Sequence, residues 1–184
     1  MARISRVDWL EAGLRALSEH GEDGIRIDRL CDELGVTKGS FHHHFGGIGV
    51  YREALLDAHV QAELDLVAAL RTESGETEPV DTLRALPSAV SGAHDLARER
   101  AVRAWAAHDP TARDAQRRID EGRLALLVDL WSRVVPDPAA ARTAALVPYL
   151  IGVGSEVTDA VDADDLDAVY ALLAVLAPHV APRP

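Results

Sequence analysis

Apolar residues recur at helical spacing along almost the whole chain, and this pattern limits the fold more than any other feature of the sequence. In the first segment, Val7, Leu10, Leu14 and Leu17 fall on one face of a helix. No stretch alternates apolar and polar residues in the way that a half-buried strand does. The sequence therefore predicts an all-α protein.

Capping and breaking residues divide the helical pattern into segments. Ser5 and Asp8 have the spacing of a capping box, and Gly21 ends the first helix. A polar, acidic stretch at 73–79 lacks periodicity and is interpreted as a loop. The predicted helices after the first are 27–34, 37–44, 48–71, 80–91, 94–108, 111–134, 138–154 and 164–178.

Composition and charge limit the possible functions. Hydrophobic residues make up 48% of the 184 residues, which is enough to build a core. The formal net charge of −11 argues against DNA binding through overall charge, so any contact with DNA must come from a local patch. Cys31 is the sole cysteine, which excludes an intramolecular disulfide. Because no apolar run reaches 18 residues and no basic leader precedes one, we expect a soluble, cytoplasmic protein without membrane association.

Residues 27–45 have the spacing of a helix-turn-helix. Cys31 is small enough to lie where the second helix crosses the first. Gly35 provides the backbone freedom that the turn requires, and Phe41 is placed to insert between the helices. The segment is therefore predicted to fold as a compact pair of short helices.

The second of these helices carries the segment KGSFHHHFGG, residues 38–47. At about 100° per residue, one side is expected to pack inward and the other to face solvent. The inward set is Thr37, Phe41, His44 and Phe45, the outward set is Lys38, Gly39, His42 and His43, and Ser40 lies near the edge. A cation, a position without a side chain and two hydrogen-bonding rings suit a helix that enters the DNA major groove.

The three consecutive histidines allow other interpretations. Consecutive residues on a helix point in three directions and cannot converge on one ion, so no metal site and no cofactor are predicted. No activated serine or cysteine pattern indicates catalysis, so no enzyme is predicted. A solvated face without a partner stays open as the explanation of His42 and His43, whereas His44 is interpreted as a packing residue.

The segments WLEAGLRALSEHG, IRIDRLCDELGVTKGSFHHHF and YREALL resemble the TetR family of bacterial transcription regulators over residues 9–56. The resemblance implies an N-terminal three-helix DNA-binding domain with a helix-turn-helix, at 1–47. It also implies a C-terminal helical domain at 48–184 that binds an effector and dimerises. The implied DNA-binding residues are Arg3, Arg6, Arg26, Thr37, Lys38, Gly39, Ser40, His42, His43 and Arg52.

The chain departs from the family pattern at three positions that bear on phosphate contacts. His42 stands where the family usually has tyrosine, and Arg26 stands where it usually has a serine or threonine cap. Ile48 replaces a usual lysine, with Arg52 one turn later as a substitute. Residues 1–60 hold 7 basic and 10 acidic side chains, so DNA binding is predicted to be strongly salt-sensitive.

The resemblance places a mostly apolar effector pocket among the C-terminal helices, with Trp105, Trp131 and Tyr149 as candidate lining residues. Burial of both tryptophans in an ordinary core stays open as the simpler interpretation. The segments 138–154 and 164–178 are rich in alanine, leucine and valine, which favours a homodimer formed by these two C-terminal helices.

These observations together predict a ligand-responsive DNA-binding transcription regulator. We expect a repressor that binds a double-stranded, partly palindromic operator as a homodimer and responds to a small molecule of unknown identity. One alternative is a small helical enzyme whose pocket uses His94, Arg103 or His108. The other is a protein-interaction module in which the helix-turn-helix serves only as a scaffold.

Overall fold

The computed structural model describes residues 4–75, 77–91 and 95–180, and within them the chain is helical without a strand. The all-α prediction is confirmed. The helices of the described residues are α1 (Arg6–His20), α2 (Ile27–Leu34), α3 (Lys38–His44), α4 (Ile48–Gly75), α5 (Pro79–Ser91), α6 (Leu96–Ala106), α7 (Pro110–Ser132), α8 (Pro138–Glu156) and α9 (Ala163–Val180). A 3₁₀ turn, Glu22–Gly24, lies between α1 and α2. None of these helices is long and apolar enough to cross a bilayer.

The start of α1 follows the predicted capping chemistry, whereas the end of α4 differs from the prediction. The Ser5 hydroxyl accepts a hydrogen bond from the Asp8 backbone N–H, and the Asp8 carboxylate accepts one from the Ser5 N–H at 2.7 Å, so the capping box is confirmed. The predicted loop at 73–79 starts too early, because α4 continues to Gly75. Ser74 in this last turn is buried and its hydroxyl donates to the Arg71 carbonyl, which keeps the polar stretch helical.

The described residues form two compact units. The first lies within Met1–Glu63 and Asp95–Ile119, and the second within Leu64–His94 and Asp120–Pro184. Both α4 and α7 contribute residues to each unit. The functional division at residue 47 implied by the sequence resemblance stays a prediction.

An aromatic cluster forms part of the core of the first unit. Trp9, Phe41, Phe45 and Tyr51 are all at most 1% exposed. The Phe41 ring centroid lies 5.3 Å from those of Trp9 and Tyr51, with the rings edge-to-face. The Tyr51 hydroxyl donates to the Trp9 carbonyl at 2.6 Å, and burial raises the pKa of Tyr51 far above its usual range. This cluster fixes α3 against α1 and α4.

The predicted inward face of α1 is partly wrong. Val7 is 60% exposed, whereas Trp9 is fully buried. The buried stripe of α1 consists of Trp9, Ala12, Gly13, Ala16 and Leu17. Small residues make up most of it, so a search for large aliphatic residues at helical spacing selects a face that is rotated away from the true one.

Gly13 leaves the space that the Tyr51 hydroxyl occupies. A methyl group at Gly13 would overlap that hydroxyl and would lie 2.9 Å from the Leu55 Cδ1 atom, and both side chains are buried. We therefore expect Gly13→Ala to lower the free energy of unfolding by about 1–3 kcal/mol, as overpacked cores do. Urea unfolding followed by circular dichroism measures this change.

A matched control and a second variant test the stated cause of this loss. At Gly49 on α4, an added methyl group meets nothing within 4 Å, so Gly49→Ala is expected to be neutral or stabilising. Tyr51→Phe removes the overlapping oxygen, so the effects of Gly13→Ala and Tyr51→Phe should be less than additive in the double variant. Strict additivity would contradict the packing argument.

The core of the second unit is aliphatic and rich in alanine. Helix α9 packs against α5 and α8. The Tyr170 hydroxyl donates to the Pro148 carbonyl of α8 at 2.8 Å, and burial raises the pKa of Tyr170 to about 12. The buried cluster is Val67, Leu83, Leu126, Leu127, Leu130, Trp131, Val135, Ala141, Ala144, Ala145 and Ala177.

Candidate nucleic-acid interface

Helix α3 has one buried side and one exposed side, as the sequence predicts. Phe41 and Phe45, the C-cap residue of α3, are buried, and Ser40 is half-buried at the edge. The remaining predicted outward residues are all exposed, namely Lys38, Gly39, His42 and His43. An alanine methyl group at Gly39 would meet only the Thr37 hydroxyl oxygen, at 3.6 Å, so the surface beside the Gly39 backbone is open.

Thr37 does not pack inward as predicted, because it is exposed. Its φ of −90° and ψ of 158° are extended, so it lies outside the helical spiral to which the 100° spacing applies. Thr37 does occupy the predicted N-cap position, and its carbonyl accepts a hydrogen bond from the Ser40 N–H at 2.9 Å. Its side chain makes no capping bond.

The turn between α2 and α3 has the predicted geometry. Gly35 ends α2 with φ 65° and ψ 35°, the left-handed conformation that glycine adopts without strain. The Val36 N–H donates to the Cys31 carbonyl at 3.0 Å. Leu30 and Cys31 are buried, and burial raises the pKa of the Cys31 thiol. These features fix the angle at which α3 leaves α2.

Two of the predicted DNA-binding cations on this surface pair with neighbouring carboxylates. The Lys38 ammonium lies 2.5 Å from the Asp28 carboxylate, and its hydrogen bond to Asp28 raises the pKa of Lys38. The Arg26 guanidinium lies 3.6 Å from Asp23. All four side chains are more than half exposed, so solvent screens both pairs.

Arg6 and Arg52, the other predicted DNA-binding cations among the described residues, make contacts that stabilise the first unit. Arg6 donates to the carbonyl of His44 at 3.2 Å and its guanidinium lies 4.5 Å from the Phe45 ring centroid, which ties α1 to the end of α3. Arg52 lies 3.3 Å from Glu22 and 5.7 Å from the ring centroid of Trp105. Arg3 lies outside the described residues.

Acidic partners are the part of this surface that the sequence pattern does not predict. Glu22 contacts Arg52 and also lies 2.8 Å from the His108 Nε2 atom. Asp23 and Arg26 have an i, i+3 spacing, which is a weak signal for an ion pair. Glu22, 30 residues from its arginine partner, offers no local signal at all.

The residues of the enzyme alternative contact acidic groups of the first unit. His108 lies against Glu22, and the Arg103 guanidinium lies 2.9 Å from Glu99. His94 lies outside the described residues. The first contact joins two segments that are distant in the chain, the second is an i, i+4 pair within α6, and neither places a nucleophile beside a base.

Residues 10–58, which include α2, α3 and the turn between them, match the model of the family described as bacterial regulatory proteins, tetR family. The N-terminal segment of the chain is therefore similar to the TetR family. It is 32% identical over 74 residues to the HTH-type transcriptional repressor AcnR of Corynebacterium glutamicum, and equally to AcnR of Corynebacterium efficiens. The aligned segment covers 40% of this chain and 37% of each repressor.

Solved structures share the fold over nearly the whole chain. A transcriptional regulator from Rhodococcus sp. Rha1 superimposes with a TM-score of 0.76 at 17% identity, covering 98% of this chain and 100% of that one. Reduced NemR of E. coli gives 0.72 at 19% identity, with 97% and 98% covered. FadR from Bacillus subtilis, in complex with stearoyl-CoA, gives 0.62 at 14% identity, with 97% and 100% covered. The fold of these solved regulators thus extends over both units.

The three predicted pocket residues are divided between the units. Trp105 is buried in the first unit, Trp131 is buried in the second, and Tyr149 is half-buried in the second. A cavity of about 120 Å³ lies in the second unit, and none of the three lines it. Its lining includes Leu70, Glu73, Asp81, Leu86, Leu126 and Leu130. The assignment of Trp105, Trp131 and Tyr149 to an effector pocket stays a prediction.

Exposed apolar side chains are concentrated on α8 and α9. Leu150 on α8 and Leu172 and Val175 on α9 are each at least 57% exposed. Val147 on α8 and Leu176 on α9 are each 45% exposed. Spacings of three or four residues put the α8 pair on one side of its helix and the α9 trio on one side of the other, so each helix has an apolar face that the described residues leave exposed.

Proposed function

We propose that this chain is a ligand-responsive transcription repressor of the TetR family that binds a partly palindromic operator as a homodimer. The exposed face of α3 carries the proposal. It presents one cation, one position without a side chain and two imidazole rings, while Phe41 holds the helix in the core. Such a face can lie in a major groove and hydrogen-bond to base edges. The AcnR relatives, named as repressors, support the direction of regulation.

The exposed apolar face of α8 and α9 supports the proposed homodimer. Two copies related by a two-fold axis would bury these side chains in a four-helix bundle. Each dimer would then carry two copies of α3, separated by about one turn of DNA, roughly 34–36 Å, or by a multiple of it. A two-fold pair of recognition helices requires an operator with matching half-sites.

The proposed effector is a small molecule bound by the C-terminal domain, 48–184, with Trp105, Trp131 and Tyr149 as candidate lining residues. The FadR neighbour is described in complex with stearoyl-CoA, so this fold can hold a small molecule. The effector must bind the DNA-incompetent conformation more tightly, because a ligand without differential affinity shifts no equilibrium. A bacterial transcription regulator acts where the DNA is, so we propose a cytoplasmic location.

Ion pairs within the free protein bear on how DNA binding depends on salt, because carboxylates occupy the cations proposed to face DNA. Asp28 holds Lys38 in the free protein, so a DNA group must displace this carboxylate. Solvent screens an exposed pair of this type, so a DNA phosphate can displace the carboxylate at little cost in free energy. Each phosphate neutralised steepens the fall of log affinity with log salt by about 0.9.

Variants of this ion pair test the proposed function. Lys38→Ala is expected to weaken operator binding and to reduce the salt slope by about 0.9 if the ammonium contacts a phosphate, while the dimer stays intact. Asp28→Asn should strengthen binding by up to about fivefold, because it releases Lys38. Fluorescence anisotropy with labelled operator at several salt concentrations measures both.

Asp129→Asn is the matched control, because it makes the same charge change at the Arg71–Asp129 pair of the second unit. It should leave operator affinity at the level of the parent. Equal affinities for Asp28→Asn and Asp129→Asn, or parental binding by Lys38→Ala, would show that this end of α3 does not contact DNA.

A further inference from the structure

Four of the five buried polar or charged side chains among the described residues lie in one cluster inside the first unit. They are His59, Glu63, Glu99 and Gln116, exposed by 1%, 4%, 0% and 5%. His59 and Glu63 are one turn apart on α4, Glu99 is on α6 and Gln116 is on α7. Buried polar groups are costly in a core, so a concentration of them at one place needs a physical reason.

The cluster has a donor set suited to a cation. One ligand atom from each of His59, Glu63 and Glu99 lies within 4.8 Å of the others, and the His59 Nδ1 atom is 4.0 Å from the Glu63 carboxylate. Ligand atoms around a tetrahedral Zn²⁺ are roughly 3.3 Å apart, given metal–ligand bonds of about 2.0–2.1 Å. Small side-chain movements would therefore close the site.

Neighbouring groups hold one of the three side chains in orientation. The Gln116 Nε2 atom donates to the Glu99 carboxylate at 2.8 Å, and the Arg103 Nε atom lies 2.9 Å from the same oxygen. Hydrogen bonds of this kind to a ligand fix its direction in metal sites. On α4, the i, i+4 spacing of His59 and Glu63 places both side chains on one face of the helix.

We propose that His59, Glu63 and Glu99 bind a divalent transition-metal ion through one imidazole nitrogen and two carboxylates. Imidazole with carboxylates suits Zn²⁺ and its neighbours Mn²⁺, Fe²⁺ and Co²⁺, and the set contains no soft thiolate that would favour Cu⁺. The divalent charge stabilises two carboxylates that lie away from water. The sequence prediction of no metal site was argued for the histidines of α3. Metal binding at this cluster does not depend on DNA binding, whereas its regulatory role rests on the proposed function.

The bound ion would connect α4 with α6 inside the first unit. Helix α4 begins four residues after the end of α3. A metal that binds the DNA-competent and DNA-incompetent conformations of this unit with different affinities would therefore change the DNA affinity by the ratio of those two affinities. The site is thus a second input to the proposed repressor, with a ligand class different from an organic effector.

Metal titration of the full chain tests the proposal. The protein is stripped with a chelator, the chelator is removed, and Co²⁺ and then Zn²⁺ are added while visible absorption and bound metal are measured. One equivalent of Co²⁺ should bind with the absorption of a low-coordinate site, and Zn²⁺ should displace it. His59→Gln and Glu63→Gln should each weaken binding at least tenfold. Glu53→Gln, an exposed acid on the same helix, should bind as the parent does.

The histidines of α3 are the competing site and are tested by His43→Gln. If His43→Gln no longer binds the one equivalent of metal while His59→Gln still binds it, or if the parent binds no metal, the proposal is wrong. Should the buried variants lose their helical circular dichroism, X-ray absorption of the zinc-loaded parent decides. One imidazole with oxygen ligands supports the site at α4 and α6, and two or more imidazoles overturn it.

Discussion

Phe41→Ala is expected to destabilise the first unit by about 3–5 kcal/mol, the range for truncation of a buried aromatic residue. Phe41 is fully buried and its ring contacts Trp9, Phe45 and Tyr51 at centroid distances of 5.3 to 5.5 Å. The loss combines removal of apolar surface from the core, the cavity left behind and three aromatic contacts of about 0.5–1.5 kcal/mol each. Urea unfolding monitored by circular dichroism and by tryptophan fluorescence measures it.

Two comparisons separate this effect from a general weakness of α3. Phe41→Leu keeps most of the buried volume but loses the ring contacts, so it should destabilise less than alanine does. His42→Ala removes only the edge contact of an exposed ring with Phe41, at 5.5 Å between centroids, and should alter stability by about 0.5 kcal/mol or less. A loss for Phe41→Ala as small as that for His42→Ala would contradict the assignment of Phe41 as the residue that anchors α3.

Gly39→Glu is expected to abolish specific operator binding while the protein stays folded. In the free protein, an added Cβ meets only the Thr37 hydroxyl oxygen at 3.6 Å, so a side chain at this exposed position can extend into solvent. Against DNA, the same side chain would fill the space for the approaching backbone and bring a negative charge toward phosphates. We expect a loss of at least about a hundredfold, the equivalent of roughly 2.7 kcal/mol.

The control for Gly39→Glu is Gly75→Glu at the end of α4, where an added Cβ meets nothing within 4 Å. It adds the same charge in the second unit and should leave operator affinity within about twofold of the parent. Gly39→Glu should show the parent's stability or better, because glycine is about 1 kcal/mol worse than alanine inside a helix. Tight operator binding by Gly39→Glu would contradict the proposed position of α3 in the groove.

Much of the fold could be predicted because its signals are local. The Ser5–Asp8 box, the left-handed Gly35 and the opposite faces of Phe41 and His43 all follow from the spacing of a few residues. The buried face of α1 could not be predicted in this way, because its buried positions are mostly alanine and glycine. Small residues carry little hydrophobic signal, and what decides their burial is a neighbour distant in the chain, such as Tyr51 over Gly13.

The candidate sites were predictable to different degrees for the same reason. The outward residues of α3 form a helical pattern within seven residues, so sequence spacing alone identifies them. The pair of Lys38 with Asp28 and that of Arg52 with Glu22 join separate elements, which no local period records. At His59 and Glu63 an i, i+4 signal was present in the sequence, but Glu99 lies 36 residues further on and only the packing of α4 with α6 brings it near.

Selection of bound sequences from random double-stranded DNA, at low and at raised salt, tests whether two copies of the exposed face of α3 bind in successive major grooves of one duplex. We predict a partly palindromic motif whose half-sites are one helical turn or a multiple of it apart, with enrichment that falls steeply as salt rises. Enrichment of no motif at low salt, or of a single half-site by a strictly monomeric protein, would contradict it.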